Sequence, residues 1–235
     1  MSYIPYSLIP EDALPIPLGL IVLRADETLE PEFHEAFASD PVALYVSRIP
    51  SAPNVTPGTL RAMEADIVAS ADLLPKSLTY AVVGYGCTSA SAIIGSKAVA
   101  SRVKSACNTK KVTNPLRAAI AFAKHHGLSK LALLSPYVDE VNVPLRAAFS
   151  EADLSTDVFG TFGEGEEAKV ARIDETSIMD AAISLGSSAD ADGLFLSCTN
   201  LKTLKVLPKI QKRLGKPVFS SNSALSWHMK NYANI

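Results

Sequence analysis

Several residue types and patterns are scarce in this sequence, and each scarcity excludes a class of protein. Only 3 of the 235 residues are cysteine, an odd number that cannot form a disulfide framework and that is typical of a reducing compartment. No apolar run reaches the roughly 18 to 20 residues that a membrane-spanning helix needs. The N-terminal residues lack the basic start and apolar stretch of a signal peptide. We therefore expect a cytoplasmic protein with no membrane partner.

Net charge and histidine are also low. The formal net charge is −2, and only 4 residues are histidine. A chain so close to neutral offers no electrostatic reason to bind nucleic acid. His125 and His126 lie at the predicted end of a helix, where a solvated capping role is expected, and with no other histidine-rich cluster we expect no metal site. With 48% hydrophobic residues, the chain is long enough to bury a substantial core as one large domain or two small ones.

Apolar runs of strand length alternate with segments of helical periodicity along the chain. In the first part they predict strands over 18–24, 42–49 and 78–85, and helices over 31–39, 56–74 and 89–107. In the second part they predict strands over 130–138, 156–163, 192–198 and 217–221, and helices over 115–127, 143–152, 177–186 and 202–215, followed by a terminal helix. This alternation indicates an α/β fold with parallel sheets covered on both faces.

Two cysteines occupy equivalent places in the two parts. Cys87, in "GYGCTSAS", ends the third predicted strand of the first part, and Cys198, in "FLSCTNLKT", ends the third strand of the second, about half the chain later. We predict two similar Rossmann-like half-domains with parallel sheets, related by a pseudo-twofold axis, with an active site between them. The expected boundaries are 1–113, with a C-terminal element returning to this half, and 114–235.

The chemistry of this arrangement follows from the position of each sulfur. Ligands of open α/β sheets gather at the carboxyl ends of strands. A helix that begins just after a cysteine lowers the thiol pKa through its unpaired N–H groups, and the same groups can hold a carboxylate. Thr88 and Ser89 stand beside Cys87, and Thr199 and Asn200 beside Cys198.

Two facing sulfurs suit reactions that need no cofactor. One thiolate can remove a proton from carbon while the opposite thiol returns a proton to the other face; alternatively, one thiolate adds to a double bond, which rotates before elimination. The competing interpretation is that the cysteines are packing residues, because cysteine is among the most buried residue types. Cys107, late in a predicted helix, is assigned that structural role.

At these residues the chain resembles the Asp/Glu racemase superfamily, in the branch of maleate cis-trans isomerases, arylmalonate decarboxylases and ectoine-utilisation proteins. The likeness is carried by "GLIVLRADETLEPEF", "GYGCTSAS", "SPYVDEVN", "SCTNLKT" and "SSNSALSWH", and the phrasing looks most like the ectoine-utilisation group. The resemblance implies two facing half-domains. It also implies that Cys87 is the nucleophile or first base, that Cys198 is the opposing acid or base, and that Tyr137 binds a substrate carboxylate along with Thr88 and Ser89.

Two departures from the family pattern bear on the substrate. Arylmalonate decarboxylases have glycine at the position of Cys87, so the presence of both sulfurs favours an isomerase or racemase. Maleate isomerases typically carry asparagine where this chain has Asp26. A second carboxylate would repel a dianion unless Arg24 neutralised it, and would favour an ammonium group instead. Arg24 and Asp26 are therefore both candidates for substrate binding, Arg24 through a substrate carboxylate.

These observations leave several functions open. The leading hypothesis is a cofactor-independent racemase or cis-trans isomerase of a small carboxylate, in particular an amino acid or a derivative of one. A maleate cis-trans isomerase, an arylmalonate-type decarboxylase and a non-catalytic small-molecule binding protein are the alternatives, and the sequence leaves a homo-oligomer open. The acidic stretch 162–174 is interpreted as a mobile loop that could act as a lid, with Arg172 a weak candidate for carboxylate binding.

Overall fold

The structure, a computed structural model, describes residues 3–235 and contains two parallel sheets of four strands each. The first sheet has the order β2-β1-β3-β4, and its strands are β1 Ile16–Leu23, β2 Val42–Ile49, β3 Tyr80–Gly86 and β4 Thr109–Thr113. The second has the order β6-β5-β7-β8, and its strands are β5 Leu131–Tyr137, β6 Phe159–Glu164, β7 Gly193–Leu196 and β8 Val218–Ser220. The same strand order is therefore repeated, which confirms the predicted α/β fold with two similar parallel sheets.

Helices connect and cover these strands. They are α1 Leu29–Ala36, α2 Pro57–Ala62, α3 Ile67–Asp72, α4 Thr88–Ile94, α5 Ser96–Ala106, α6 Pro115–His125, α7 Asp139–Ser150, α8 Glu167–Val170, α9 Glu175–Gly186, α10 Leu207–Leu214 and α11 Ser221–Ala233. Two short 3₁₀ turns, Glu11–Ala13 and Met63–Asp66, complete the set. Within residues 3–235, no helix has the length and apolarity that a membrane crossing requires.

The sheets are buried because their central strands are covered on both faces. All seven residues of β5 are buried, and so are the last six of β1. Such strands form continuous apolar runs in the sequence, which is typical of parallel strands that are covered on both faces. The buried apolar side chains form two clusters, each of which includes residues of both sheets, for example Leu20 with Phe195. The two halves therefore share their core, and this shared packing fixes the strand ends that face each other.

Several segments differ from the predicted elements. The helix predicted over 56–74 is divided into α2, a 3₁₀ turn and α3, and the helix predicted over 89–107 is interrupted at Gly95, whose φ is 93°. Helix α7 begins at Asp139, so Pro144 lies inside the helix and not in its first turn. Strand β4 was not predicted, because an edge strand with two exposed lysines has no apolar run. These errors concern boundaries and one edge strand, so the order of the central elements is unaffected.

The last helix, α11, packs on the first sheet, although the strand before it belongs to the second. It lies against β3, β4 and α6. The contact with β3 is so close that a Cβ atom placed on Gly84 would lie 2.8 Å from the sulfur of Met229. Ser220 caps the helix by accepting from the backbone N–H of Ser223, in a reciprocal capping box. Because of this crossing, the N-terminal end of α11 lies where the two halves meet.

Replacement of Gly86 by alanine is expected to destabilise the fold by about 1 to 3 kcal/mol through overpacking. A Cβ atom at this position would lie 2.3 Å from Cδ2 of the buried Leu29 and 3.0 Å from the carbonyl oxygen of Ile21. The measurement is the urea midpoint of unfolding. Gly58→Ala is the matched control, since a Cβ there meets only Thr56 Oγ1, at 3.8 Å. Equal midpoints for the two variants would show that the backbone beside Cys87 is free to move.

Candidate active site

Cys87 and Cys198 lie at the carboxyl ends of β3 and β7, and hydrogen bonds between the halves bring their segments together. The Thr199 hydroxyl donates to the carbonyl of Gly86 at 3.3 Å. The Ser221 hydroxyl, at the start of α11, accepts from the backbone N–H of Cys198 at 2.9 Å and lies 2.8 Å from the hydroxyl of Thr88. Both cysteines are buried, with 6% and 2% of their surfaces exposed. The two sulfurs therefore belong to a single buried polar cluster.

The Cys87 side chain caps helix α4. Its sulfur accepts from the backbone N–H of Ala90 at 3.4 Å. Burial raises the pKa of Cys87 to about 12. The N–H groups of the helix end lower this pKa, as expected, but burial outweighs them, so the expected net decrease is wrong. The negative charges of Glu167 and Asp26 raise the pKa further. Cys87 is therefore protonated at rest.

The Cys198 backbone is held in a conformation that is unusual for a residue with a side chain. Its φ is 132°, and such geometry persists only where the surroundings fix it. The hydrogen bond to Ser221 fixes the backbone, and the sulfur accepts from the N–H of Asn200 at 3.2 Å. Burial, followed by the charge of Glu167, holds the pKa of Cys198 well above its ordinary value. This sulfur too is a thiol at rest.

Tyr137, at the end of β5, connects Cys198 to a carboxylate. Its hydroxyl oxygen lies 3.0 Å from the sulfur of Cys198 and donates to Oε1 of Glu167 at 2.9 Å. The other oxygen of Glu167 accepts from the side-chain amide of Asn200 at 2.9 Å. Burial raises the pKa of the Tyr137 phenol and of the Glu167 carboxyl alike. The phenol is thus fixed between a thiol and a carboxylate, so it is not free to reorient.

Sequence reasoning missed Glu167, because the acidic stretch around it was interpreted as a mobile loop. The structure overturns that interpretation. Glu167 begins the short helix α8 and is only 4% exposed, and its backbone N–H donates to the carbonyl of Pro53 at 3.0 Å. Val170 and Ala171, three and four residues later, are also buried and share its helix face. That spacing is the local signal that could have indicated an inward Glu167, whereas Arg172 is exposed.

Asp26 lies in the same cluster with one oxygen unused. Oδ1 accepts from the backbone N–H groups of Thr28 and Leu29, both at 2.8 Å, and so caps the start of α1. Oδ2 is buried and has no hydrogen-bond partner of ordinary geometry within the described residues. The Thr199 hydroxyl lies close enough to lower the pKa of Asp26, but it donates to the carbonyl of Gly86. Burial raises the pKa of Asp26, although the backbone N–H groups of Thr28 and Leu29 lower it. The position is therefore a buried carboxylate oxygen available to a ligand.

Arg24 does not neutralise Asp26, so the condition under which the sequence allowed a dianionic substrate is not met. It is exposed, and its guanidinium donates to the carbonyl of Ser51 at 3.2 Å. The cation that lowers the pKa of Asp26 is Arg48, whose guanidinium donates to the Asp26 carbonyl at 2.9 Å. Arg48 is itself paired with the carboxylate of Glu30 at 2.6 Å. The cluster therefore keeps its acidic character.

The remaining predicted residues differ in what they can offer a ligand. Ser89 is buried, and its hydroxyl has no hydrogen-bond partner in the part of the chain that the structure describes. The side chains of Thr88, Thr199 and Asn200 are already engaged in bonds that hold the cluster together. Cys107 lies outside the cluster at the end of α5, where its thiol donates to the carbonyl of Val103 at 3.5 Å.

This set of groups is suited to proton transfer at a carbon atom. The two thiols can exchange protons with a bound molecule, and the Ser89 hydroxyl and Asp26 carboxylate can bind its polar groups. Within residues 3–235 there is no group of three or more His, Cys, Asp or Glu side chains that could hold a metal ion.

Comparison with known proteins points to one group of enzymes. The family described as arylmalonate decarboxylase matches residues 18–235. The arylmalonate decarboxylase of Bordetella bronchiseptica is 35% identical over 102 residues, which cover 43% of this chain and 42% of that protein. The match thus spans less than half of this curated relative.

Solved structures match over nearly the whole chain. The maleate isomerase Iso from Pseudomonas putida is 20% identical with a TM-score of 0.85, and the match covers 94% of this chain and 93% of that one. A maleate cis-trans isomerase variant from Nocardia farcinica, with a covalently bound succinylcysteine intermediate, is 21% identical with a TM-score of 0.79 over the same shares. A glycine-to-cysteine variant of arylmalonate decarboxylase is 28% identical with a TM-score of 0.77, covering 93% of both chains.

Proposed function

Because the chain belongs to the arylmalonate decarboxylase family, we propose that it is a cofactor-independent racemase or cis-trans isomerase in which Cys87 and Cys198 act together on one small carboxylate. The resemblance to maleate isomerases and arylmalonate decarboxylases of the Asp/Glu racemase superfamily is confirmed. The relatives include both isomerases and decarboxylases, so the choice between these reactions is part of the proposal.

The observation that carries the proposal is the joining of the two cysteine segments across the halves. Thr199, next to Cys198, donates to Gly86, next to Cys87, and Ser221 binds both segments. A molecule bound between the sulfurs would have one on each side. One sulfur, ionised, can take a proton from a carbon atom while the other, protonated, delivers a proton to the opposite face, which inverts that carbon.

The same pair of sulfurs favours isomerisation over decarboxylation. A decarboxylase needs one acid to protonate the carbanion that remains when carbon dioxide leaves, and a second sulfur has no task in that reaction. By resemblance, the position of Cys87 is glycine in arylmalonate decarboxylases. Decarboxylation remains the second candidate, because the 35% identical relative is a decarboxylase. A binding protein would have no need of a phenol and a carboxylate fixed beside one of its thiols.

The polar groups around the sulfurs support a substrate with both an acid and an amine. The Ser89 hydroxyl is a buried donor without a partner, suited to a substrate carboxylate. The Oδ2 atom of Asp26 is a buried acceptor without a partner, suited to an ammonium group. A plain dianion such as maleate would instead lie against the charges of Asp26 and Glu167. We therefore propose an amino acid, or a derivative with a free amino group, as the substrate class.

The test is a proton NMR screen of the protein in deuterated water. The panel contains aspartate, glutamate, diaminobutyrate derivatives, maleate and an arylmalonate. Racemisation predicts loss of the α-proton signal without a new compound, whereas cis-trans isomerisation or decarboxylation would each give a distinct product spectrum. Cys107→Ser is the control and should behave as wild type, because Cys107 is outside the cluster. Products without deuterium exchange, made equally by a Cys87→Ser variant, would contradict the two-sulfur mechanism.

A further inference from the structure

A continuous line of hydrogen bonds runs from the sulfur of Cys198 to the carboxylate of Glu167. The sulfur lies 3.0 Å from the Tyr137 hydroxyl oxygen, and that hydroxyl donates to Glu167 Oε1 at 2.9 Å. We propose that Glu167 is the proton acceptor that ionises Cys198, with Tyr137 passing the proton between them. Glu167 repels a dianion but has no part in binding the proposed amino substrate, and this role accounts for its burial beside the thiol.

The direction of the hydrogen bonds follows from the number of protons available. A phenol has one hydroxyl proton, and Tyr137 gives it to Glu167. The bond between sulfur and phenol oxygen must therefore use the S–H of Cys198 as donor. In the transfer step, the S–H proton moves to the phenol oxygen while the phenol proton moves to Oε1 of Glu167. The products are a thiolate, a neutral phenol and a neutral carboxylic acid, so protons and charge balance.

Transfer within the cluster avoids a second buried charge. Loss of the Cys198 proton to solvent would leave a thiolate beside the Glu167 carboxylate, and that repulsion contributes to the raised pKa of the thiol. Internal transfer leaves a single negative charge, which moves from carboxylate to sulfur. Burial and Asp26 raise the pKa of Glu167, which makes it a better proton acceptor than an exposed carboxylate. The other titratable groups that act on this cluster are Cys87 and Tyr137.

The cluster also stabilises the product of the transfer. After the step, the Tyr137 hydroxyl donates to the thiolate, and the backbone N–H of Asn200, 3.2 Å from the sulfur, is a second donor. The side-chain amide of Asn200 donates to Oε2 of Glu167 at 2.9 Å and keeps Oε1 directed at the phenol. The backbone of Glu167 is fixed in turn by Pro53 of the first half. Each participant is thus held in place before any substrate binds.

The inference rests on the proposed function in treating Cys198 as a reactive sulfur, but its test needs no substrate. Wild type, Glu167→Gln and Tyr137→Phe are treated with iodoacetamide across a pH series, and alkylation of each cysteine is read by mass spectrometry of its peptide. For wild type we expect Cys198 to become reactive once Glu167 has lost its proton, and to stay level through neutral pH. Both variants should lose this plateau and react only at alkaline pH, with a fall of at least about tenfold at neutral pH, the effect of one pKa unit.

The direction of the change in Cys198 reactivity distinguishes proton transfer through Tyr137 from a simple charge effect of Glu167. If Glu167 only repelled the thiolate, Glu167→Gln would lower the thiol pKa and raise the reactivity of Cys198, which would overturn the proposal. Unchanged pH profiles in both variants would overturn it as well. Glu166→Gln is the matched control: Glu166 is exposed, pairs with Lys169, and should leave the profile as in wild type. Cys107 is the internal reference in every sample. Because Tyr137→Phe leaves Glu167 in place, it decides the question even if Glu167→Gln fails to fold.

Discussion

Serine in place of either Cys87 or Cys198 is expected to lower turnover about 100- to 10,000-fold, the usual contribution of a positioned acid or base. A hydroxyl has almost the same shape as a thiol but scarcely ionises near neutral pH, so it cannot remove a proton from carbon. The folds of both variants should be preserved. At position 87 the side chain caps helix α4, and serine is a preferred capping residue.

The measurement is deuterium incorporation into the substrate that the NMR screen identifies, with kcat and KM determined for each variant. Cys107→Ser is the control and should retain wild-type turnover. Equal losses at positions 87 and 198 are the signature of a two-sulfur racemase or isomerase. A Cys87→Ser variant with wild-type activity would contradict that mechanism and favour the one-sulfur decarboxylase.

Replacement of Asp26 by asparagine is expected to weaken the processing of an amino substrate by about 2 kcal/mol or more in kcat/KM, because it removes a buried counter-ion. Asparagine keeps the side-chain oxygen that accepts from Thr28 and Leu29, so the cap on α1 should survive. For a dicarboxylate such as maleate the same change should help, since it removes a repulsive charge. The two substrate classes are compared with wild type and Asp26→Asn in the same assay.

The same variant is expected to be more stable than wild type at neutral pH. Burial raises the pKa of Asp26 in the folded state above its value in the unfolded chain, so the folded state binds this proton more tightly. Its contribution to stability is therefore greatest at acid pH and is lost as pH rises through the folded pKa. Asparagine cannot ionise and avoids that loss. A higher urea midpoint at neutral pH together with poorer turnover of the amino substrate would identify Asp26 as a binding group. A lower midpoint with unchanged turnover of both substrate classes would show that Asp26 only caps helix α1.

The parts of the structure that the sequence predicted are those that depend on local pattern. Buried parallel strands such as β1 and β5 are apolar runs, so their order could be predicted. The repeat of strand, cysteine and threonine indicated that Cys87 and Cys198 have equivalent places in the two halves. The predicted direction of the Cys87 pKa shift was wrong for a related reason. A helix end can be inferred from neighbouring residues, whereas burial depends on chain segments far away in the sequence.

The error at Glu167 and the position of Arg24 have the same origin. Glu167 stands in a run of acidic residues that is typical of a solvated loop, and its burial is decided by pairing with residues 53–55 of the other half. Arg24 is close to Asp26 in sequence, but it follows a strand whose side chains alternate, and its guanidinium turns toward Ser51. The direction of the Arg24 side chain is not encoded within a few residues of it, and at Glu167 the only local signal is the spacing to the buried Val170 and Ala171.

The crossing of α11 onto the first sheet has a consequence for how the protein is made. Strands β3 and β4 have a face that helix α11 covers in part, as the close contact between Gly84 and Met229 shows. During synthesis, this part of the face stays uncovered until α11 has been made, more than 100 residues after strand β4. We therefore expect the first half to complete its core only once α11 is present, unlike the usual order in which an N-terminal domain folds first and independently. The Ser221 hydroxyl that joins the two cysteine segments would then arrive in the same event that completes the core.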